Sequence, residues 1–363
     1  LLLGLLPVLA GAGACNSKST FYVPAPDKGA VQQIGSLLKK HDFKDATLLA
    51  KMVGKGHAVW LTGGTPAAVK KQVKKTMLMA RVQRALPVFV AYDLPFRDCG
   101  QYSAGGALST AEYEAWIDGV AAGIGSGKAI MILEPDGLGI IPYNIDINGS
   151  MEWCQPDLTG TGLTPAEANA ARYEQLNYAV DKLEALPSVD VYLDGTHSNW
   201  LGVGDASKRL TMAGVDRAAG FFLNVSNYEL TSHLEKYGTW IAKCLWFASP
   251  TSGSWGGGHY DWCASQYYPA SPGDFSTWGL TDQWYTDNVE SQTWVPYPGD
   301  AGLKHFVVDT GRNGQGPWSG AQSWCNPPDR GNGIAPTSNT GNALIDAFLW
   351  IKVPGESDGT CSD

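Results

Sequence analysis

Seven segments of the chain are short apolar runs that pass straight into a polar turn: 57–64 (HAVWLTGG), 87–100 (PVFVAYDLPFRDCG), 129–139 (AIMILEPDGLG), 189–200 (VDVYLDGTHSNW), 220–229 (GFFLNVSNYE), 304–314 (KHFVVDTGRNG) and 346–359 (DAFLWIKVPGESDG). Runs of this length and composition read as buried strands. In most of them the turn that follows carries a carboxylate or a partner for one, and the candidate functional groups come after the apolar run rather than before it. Helix starts are marked in between. Thr65-Pro66 opens a helix to about Ala85 with proline at its first position, and Ser109-Thr110-Ala111-Glu112 and Thr164-Pro165-Ala166-Glu167 read as capping boxes for helices near 109–124 and 164–186. Alternating strands and helices predict a parallel sheet with right-handed crossovers. The expected fold is an α/β barrel whose polar groups gather on the rim formed by the C-terminal strand ends.

Two stretches break the rhythm: 140–163 is rich in Gly, Asn and Asp, and 249–300 is rich in Trp, Tyr, Gly, Ser and Pro without clear periodicity. Loops this long in a compact domain are expected to line a site. The 363 residues, 44% of them hydrophobic, suffice for one large core, so 21–363 is read as a single domain after an N-terminal segment 1–20. That segment begins LLLGLLPVLAGAGAC, the apolar part of a secretion signal followed by a short tether. It is too short to span a bilayer, and Cys15, directly after Ala12-Gly13-Ala14, is a candidate for lipid attachment.

The formal net charge of −9 argues against nucleic acid as a partner, and Lys70, Lys71, Lys74 and Lys75 fall on a predicted solvated helix face. No apolar helical stripe calls for more than a monomer. Cys99, Cys154, Cys244, Cys263, Cys325 and Cys361 contain no C-x-x-C pair, and the six His form no H-E-x-x-H, so disulfides are expected and no metal. Their connectivity does not follow from the count. Gly125-Ser126-Gly127-Lys128 fails as a phosphate loop, because Ala122 and Ala129 stand where a first glycine and a magnesium-binding hydroxyl belong. No G-x-S-x-G supports a serine hydrolase.

Fourteen Trp and fifteen Tyr, with loops rich in amides and carboxylates, suit sugars, whose C–H faces stack on rings and whose hydroxyls need polar partners. Cleaving a glycosidic bond requires a carboxyl group that holds its proton, and a second carboxyl in the inverting mode. Asp98 and Asp136 end strands adjacent in sequence, where like-charge repulsion raises a carboxyl pKa, and Arg97 is expected to keep Asp98 ionised.

Five blocks, YDLPFRDCGQYSAGG (92–106), LEPD (133–136), DGTHSNW (194–200), WCNP (324–327) and WIKVPGESDG (350–359), resemble glycoside hydrolase family 6, the inverting cellulases, in the family's order over 21–363. The resemblance implies a distorted barrel of seven parallel strands with a cleft across their C-terminal ends, no cofactor, and cellulose or another β-1,4-glucan as substrate. It makes Asp136 the general acid, Asp98 the neighbour that raises its pKa, and Asp358 the proposed base, a role debated against a water relay. It places Tyr92 and Ser103 at the cleavage point and Trp60, Trp200 and Trp324 as stacking platforms. Lys352 and Glu356 become partners of sugar hydroxyls, with Arg97, Asp194, His197 and Asn224 in the same cleft. It also implies Cys99–Cys154 and Cys325–Cys361, leaving Cys244 and Cys263 to pair by elimination.

The short turn at 101–106 resembles open-cleft endoglucanases, which predicts a secreted endo-β-1,4-glucanase. The alternatives are a cellobiohydrolase, if 249–300 covers the cleft, and a β-glucan-binding protein without turnover.

Overall fold

A computed structural model describes residues 14–16, 18–293 and 295–361, so the signal reading of 1–13 lies outside the described residues. Each of the seven apolar runs contributes one strand: β1 (Val59–Leu61), β2 (Val88–Ala91), β3 (Ala129–Leu133), β4 (Val189–Asp194), β5 (Gly220–Leu223), β6 (His305–Asp309) and β7 (Ile345–Leu349). All neighbours pair in parallel in the order β1 to β7.

The continuity of the apolar runs has a simple cause. Alternate residues serve two cores. Val88, Val90, Ile130, Ile132, Tyr192 and Val307 fill the inside of the curled sheet, whereas Phe89, Ala91, Met131, Leu133, Phe221 and Phe306 pack against helices. The curl does not close into a full ladder. β1 and β7 are the sheet's two ends, joined where the Ala58 N–H donates to the Trp350 carbonyl (3.0 Å) and the Trp60 indole N–H to that of Ile351 (2.9 Å).

Eight helices are described: α1 (Lys28–Lys39), α2 (Phe43–Val53), α3 (Pro66–Gln83), α4 (Thr110–Ile124), α5 (Pro165–Glu184), α6 (Val203–Met212), α7 (Thr231–Ala248) and α8 (Gly279–Tyr285). The three predicted starts are those of α3, α4 and α5. Thr164 and Glu167 form the full capping box, but the Glu112 carboxylate reaches past its N-cap to the Leu108 N–H, so the box at Ser109 is half made. None of the described helices is long and apolar enough to cross a membrane.

Two expectations are corrected here. The chain is not a free tether from Ala14 onward, because the Ala14 and Cys15 N–H groups both donate to the Asp190 carboxylate at 2.9 Å. The Cys15 sulfur turns toward the Asp346 carbonyl, and burial pushes its thiol up to about 11.

The second correction concerns 249–300, none of whose described residues lines the cleft described below. It packs over α6 and α7. Tyr260 donates to Thr211 Oγ1 (2.9 Å), the Trp240 indole N–H donates to Asp282 (2.9 Å), and Lys243 pairs with Glu290. Of its aromatic residues, Trp278 and Tyr285 are buried, whereas Trp255, Trp262, Tyr268 and Phe275 stay exposed away from the cleft. The disulfides are Cys99–Cys154, Cys244–Cys263 and Cys325–Cys361, as expected.

A ring of buried polar side chains at the C-terminal strand ends ties each loop to its neighbour. Glu134, just after β3, accepts the Asp93 (2.9 Å) and Leu94 (3.2 Å) N–H groups of the β2 loop. Asp194, ending β4, accepts those of Leu138 and Gly139 from the β3 loop, both at 3.2 Å. Asn224, after β5, donates to the Asp309 carbonyl (2.9 Å), and Asp309, ending β6, accepts the Ile351 (3.1 Å) and Lys352 (2.9 Å) N–H groups of the β7 loop.

Burial, opposed by these N–H groups, raises the Glu134 carboxyl from 4.5 to about 7. The folded chain therefore binds this proton more tightly than the unfolded chain does. Its contribution to stability is complete below the unfolded value and is lost as pH rises through the folded one. Glu134→Ala should cost about 3 kcal/mol in chemical denaturation, since it strands two buried donors. Glu134→Gln, which keeps an acceptor but cannot titrate, should flatten the fall in unfolding free energy between about pH 4.5 and about pH 7. Equal slopes in parent and variant would assign the titration to another group.

Candidate active site

The rim encloses a cleft of about 810 Å³. Asp136 stands on its floor in the turn after β3, and Asp98 faces it from the loop after β2. Both carboxylates sit on left-handed backbone, φ +63° for Asp136 and +53° for Asp98. Such conformations are costly for residues with a Cβ and persist only where the surroundings impose them.

Here the surroundings are two buried arginines and a disulfide. Arg172, on α5, donates to the carbonyls of Gly137 and Ile140 (2.7 Å each) on one side of Asp136 and to that of Pro95 (2.9 Å) in the Asp98 loop. Arg209, on α6, donates to the Leu138 carbonyl (2.9 Å) and pairs with Asp205 and Glu152. Cys99, next to Asp98, is bonded to Cys154. The turn at 101–106 folds back through Gly106, at φ +90°, where a Cβ would lie 2.0 Å from the Leu94 carbonyl oxygen. Only glycine fits there.

Arg97 does more than favour the Asp98 anion. It donates to the carbonyls of Thr62, Tyr92, Ser103 and Ala104 and lies 4.6 Å from the Tyr92 ring centre, so it serves to shape the loop. Its charge still favours the Asp98 anion, and the Ser103 N–H donates to that carboxylate at 2.6 Å. Burial outweighs both, and the Asp98 carboxyl stands above its ordinary range.

The Asp136 carboxyl is pushed well up, first by burial, then by the charges of Asp194 and Asp98. Burial and the same two cleft carboxylates, Asp136 and Asp98, also raise the Tyr92 hydroxyl, which therefore remains a hydrogen-bond donor. Burial lowers His197 to about 4, leaving a neutral ring 4.0 Å from Glu229.

Asp358 lies across the cleft in a different setting. Arg312 grips both its oxygens (2.8 and 2.6 Å), Lys352 approaches to 3.4 Å and the Asn326 N–H donates at 3.1 Å. The Cys325–Cys361 bond ties its loop to the one bearing Trp324.

Tyr92, Arg97, Ser103, Trp60, His197, Trp200, Trp324, Lys352 and Glu356 all line the cleft with Asp98, Asp136 and Asp358. Asp194 and Asn224, expected there, do not. They are buried below it, Asp194 acting on Asp136 through its charge and Asn224 spent on Asp309 and on the Glu229 N–H. The sequence reading missed Arg312, Tyr102 and Trp153, which also line the cleft. Arg312 had a signal in the DTGRNG turn after β6; for Trp153 the signal was its place in the irregular 140–163 segment beside Cys154, and the Cys99–Cys154 bond and the Glu152–Arg209 pair hold it at the rim.

The model of the family described as Glycosyl hydrolases family 6 matches residues 16–363. Endoglucanase A of Thermobispora bispora is 28% identical over 359 residues, which are 98% of this chain and 61% of that protein. Among solved structures, the endoglucanase Cel6 of Mycobacterium tuberculosis, in complex with methyl-cellobiosyl-4-deoxy-4-thio-β-D-cellobioside, is 31% identical with a TM-score of 0.66 over 96% of this chain and 92% of that one. The catalytic core of the cellobiohydrolase Cel6A of Chaetomium thermophilum is 25% identical with a TM-score of 0.63, covering 96% and 88%. The chain spans about half to three fifths of the curated relatives it matches first. A seven-stranded distorted barrel with its cleft at the C-terminal strand ends, matched to one family along nearly its whole length, makes this chain a member of glycosyl hydrolase family 6.

Proposed function

We propose that this chain is a secreted endo-β-1,4-glucanase that hydrolyses cellulose and soluble β-glucans with inversion, acting as a monomer without a cofactor. The observation that carries the reading is Asp136: a carboxyl on the floor of an aromatic-walled cleft whose burial and charged neighbours favour its protonated form. In that form it donates its proton to the glycosidic oxygen as the bond to C1 breaks. Asp98, pointing at the same space, stabilises the positive charge that develops on the sugar. Tyr92, backed edge-on by Trp60 (5.5 Å between ring centres), presses on the ring at the cleavage point and favours its distorted form. Trp60, Trp200 and Trp324 hold glucose units on either side of the bond. Lys352 and Glu356 bind hydroxyls.

Water attacks the face opposite the leaving group, and its proton must leave. Asp358 is the remaining candidate for the base, but Arg312 and the Asn326 N–H already donate to both its oxygens and Lys352 approaches to 3.4 Å. A direct proton transfer to it requires one of these arms to let go. This setting favours a relay through water, with Ser103 and Asp98 at its start.

Two observations support the endo mode. The 101–106 turn is short, and the long 249–300 segment lies over α6 and α7 instead of the cleft. Relatives of both kinds match, endoglucanases and cellobiohydrolases, so chain-end attack is the competing reading. Three disulfides fit an oxidising compartment outside the cytoplasm.

The parent should lower the viscosity of carboxymethyl cellulose steeply while few reducing ends appear; reducing ends released without viscosity loss would identify chain-end attack. Asp136→Asn should reduce turnover by about 10²–10⁴-fold while binding of cello-oligosaccharides persists. The rate must fall as pH rises through the raised Asp136 value, because the proton donor is lost. Asp194→Asn removes a negative neighbour and should therefore move this alkaline limb of kcat/KM to lower pH; an unmoved limb would assign the acid to another residue.

A further inference from the structure

Trp153 is 53% exposed at the mouth of the cleft, on the 140–163 segment that the sequence marks as irregular. An isolated exposed tryptophan needs no explanation. This one differs in how it is held. The chain around it forms a small hairpin, with an antiparallel bridge between Ile145 and Met151 and N–H bonds from Tyr143 to the Cys154 carbonyl and from Glu152 to the Asn144 carbonyl, both at 2.8 Å. Its two flanking residues are fixed independently. Glu152 is ion-paired to the buried Arg209, and Cys154 is bonded to Cys99. The backbone of Trp153 is thus anchored from both sides while its ring faces solvent in the cleft.

Its place along the cleft follows from the same contacts. Arg209 also binds the Leu138 carbonyl, which brings the hairpin beside the turn after Asp136. Trp200 packs on that turn, so closely that a Cβ on Gly139 would come within 2.6 Å of its ring. Trp153 and Trp200 therefore both adjoin the turn that follows Asp136 and both line the cleft, with Trp153 the more exposed of the pair.

We propose that Trp153 is an outer stacking platform for a glucose unit beyond the one held by Trp200, and that it sets a preference for longer β-1,4-glucan chains. An ordered aromatic face offers contact area at little cost in lost conformational freedom. The Cys99–Cys154 bond joins this platform covalently to the loop of Asp98, so the outer site and the catalytic loop are one rigid body. The proposal rests on the glucanase reading above and names one further determinant of its specificity.

The test compares Trp153→Ala and Trp153→Phe with the parent on cello-oligosaccharides of increasing length. In Trp153→Ala the ratio of kcat/KM for cellohexaose to that for the shortest oligosaccharide cleaved should fall about tenfold, and Trp153→Phe should recover most of it. An unchanged ratio overturns the proposal, whether the activity is kept at all lengths or lost equally at all lengths; the second result would make Trp153 a support for the Asp98 loop. Calorimetric binding of cellohexaose to Asp136→Asn, with and without Trp153→Ala, separates the two readings. If the parent cleaves no oligosaccharide but the double variant binds about tenfold more weakly, the turnover reading falls and the platform stands. If cellohexaose does not bind, both fall.

Discussion

Buried carboxylates that accept backbone N–H groups at the ends of the strands are what the active-site rim depends on. Parallel strands leave their last backbone groups unpaired, and the loops that follow must turn sharply to form a cleft. Glu134, Asp194 and Asp309 satisfy those groups across strand boundaries, each carboxylate binding the loop of an adjoining strand. Burying a carboxylate is unfavourable, and the cost appears as raised affinity for protons in all three. The benefit is a rim in which no loop moves alone. Arg172 and Arg209 extend the same logic from the helices, each binding carbonyls of the β3 loop.

The reacting groups use this frame. Asp136 and Asp98 occupy left-handed backbone that the ties, the arginines and the Cys99–Cys154 bond impose. Proximity does the rest. Asp194 is spent on Leu138, Gly139 and Thr196 N–H groups, yet its charge ranks ahead of that of Asp98 in raising Asp136. One side chain thus fixes the position of the loop and tunes the acidity of the residue it carries. Asp358 has a different setting, held between Arg312 and Lys352.

The strands were legible because burial on both faces leaves an uninterrupted apolar run, and α3, α4 and α5 because Thr65, Ser109 and Thr164 announce their first turns. Helices α1, α2, α6, α7 and α8 went unread, although α1 and α2 carry a clear amphipathic pattern, because no Thr-Pro or hydroxyl-x-x-Glu motif stands at their N-cap positions. The candidate site was legible mainly through its five sequence blocks. What composition could not separate was tie from tool. Glu134 and Asp136 lie two residues apart in one tetrapeptide, and only the structure reveals that the first is sealed by N–H groups while the second faces the cleft. The same ambiguity placed Asp194 and Asn224 in the cleft. In 249–300 the aromatic content pointed to a site, whereas the segment packs against α6 and α7 away from the cleft.

The claim that the frame exists to hold a protonated Asp136 is tested most directly by the dependence of its substitution on the leaving group. Asp136→Ala should lose activity by about 10²-fold or more on a cello-oligosaccharide, whose departing sugar needs a proton, and far less on 2,4-dinitrophenyl β-cellobioside, whose phenolate departs without one. Equal losses on both substrates would show that Asp136 is not the acid and would contradict the account.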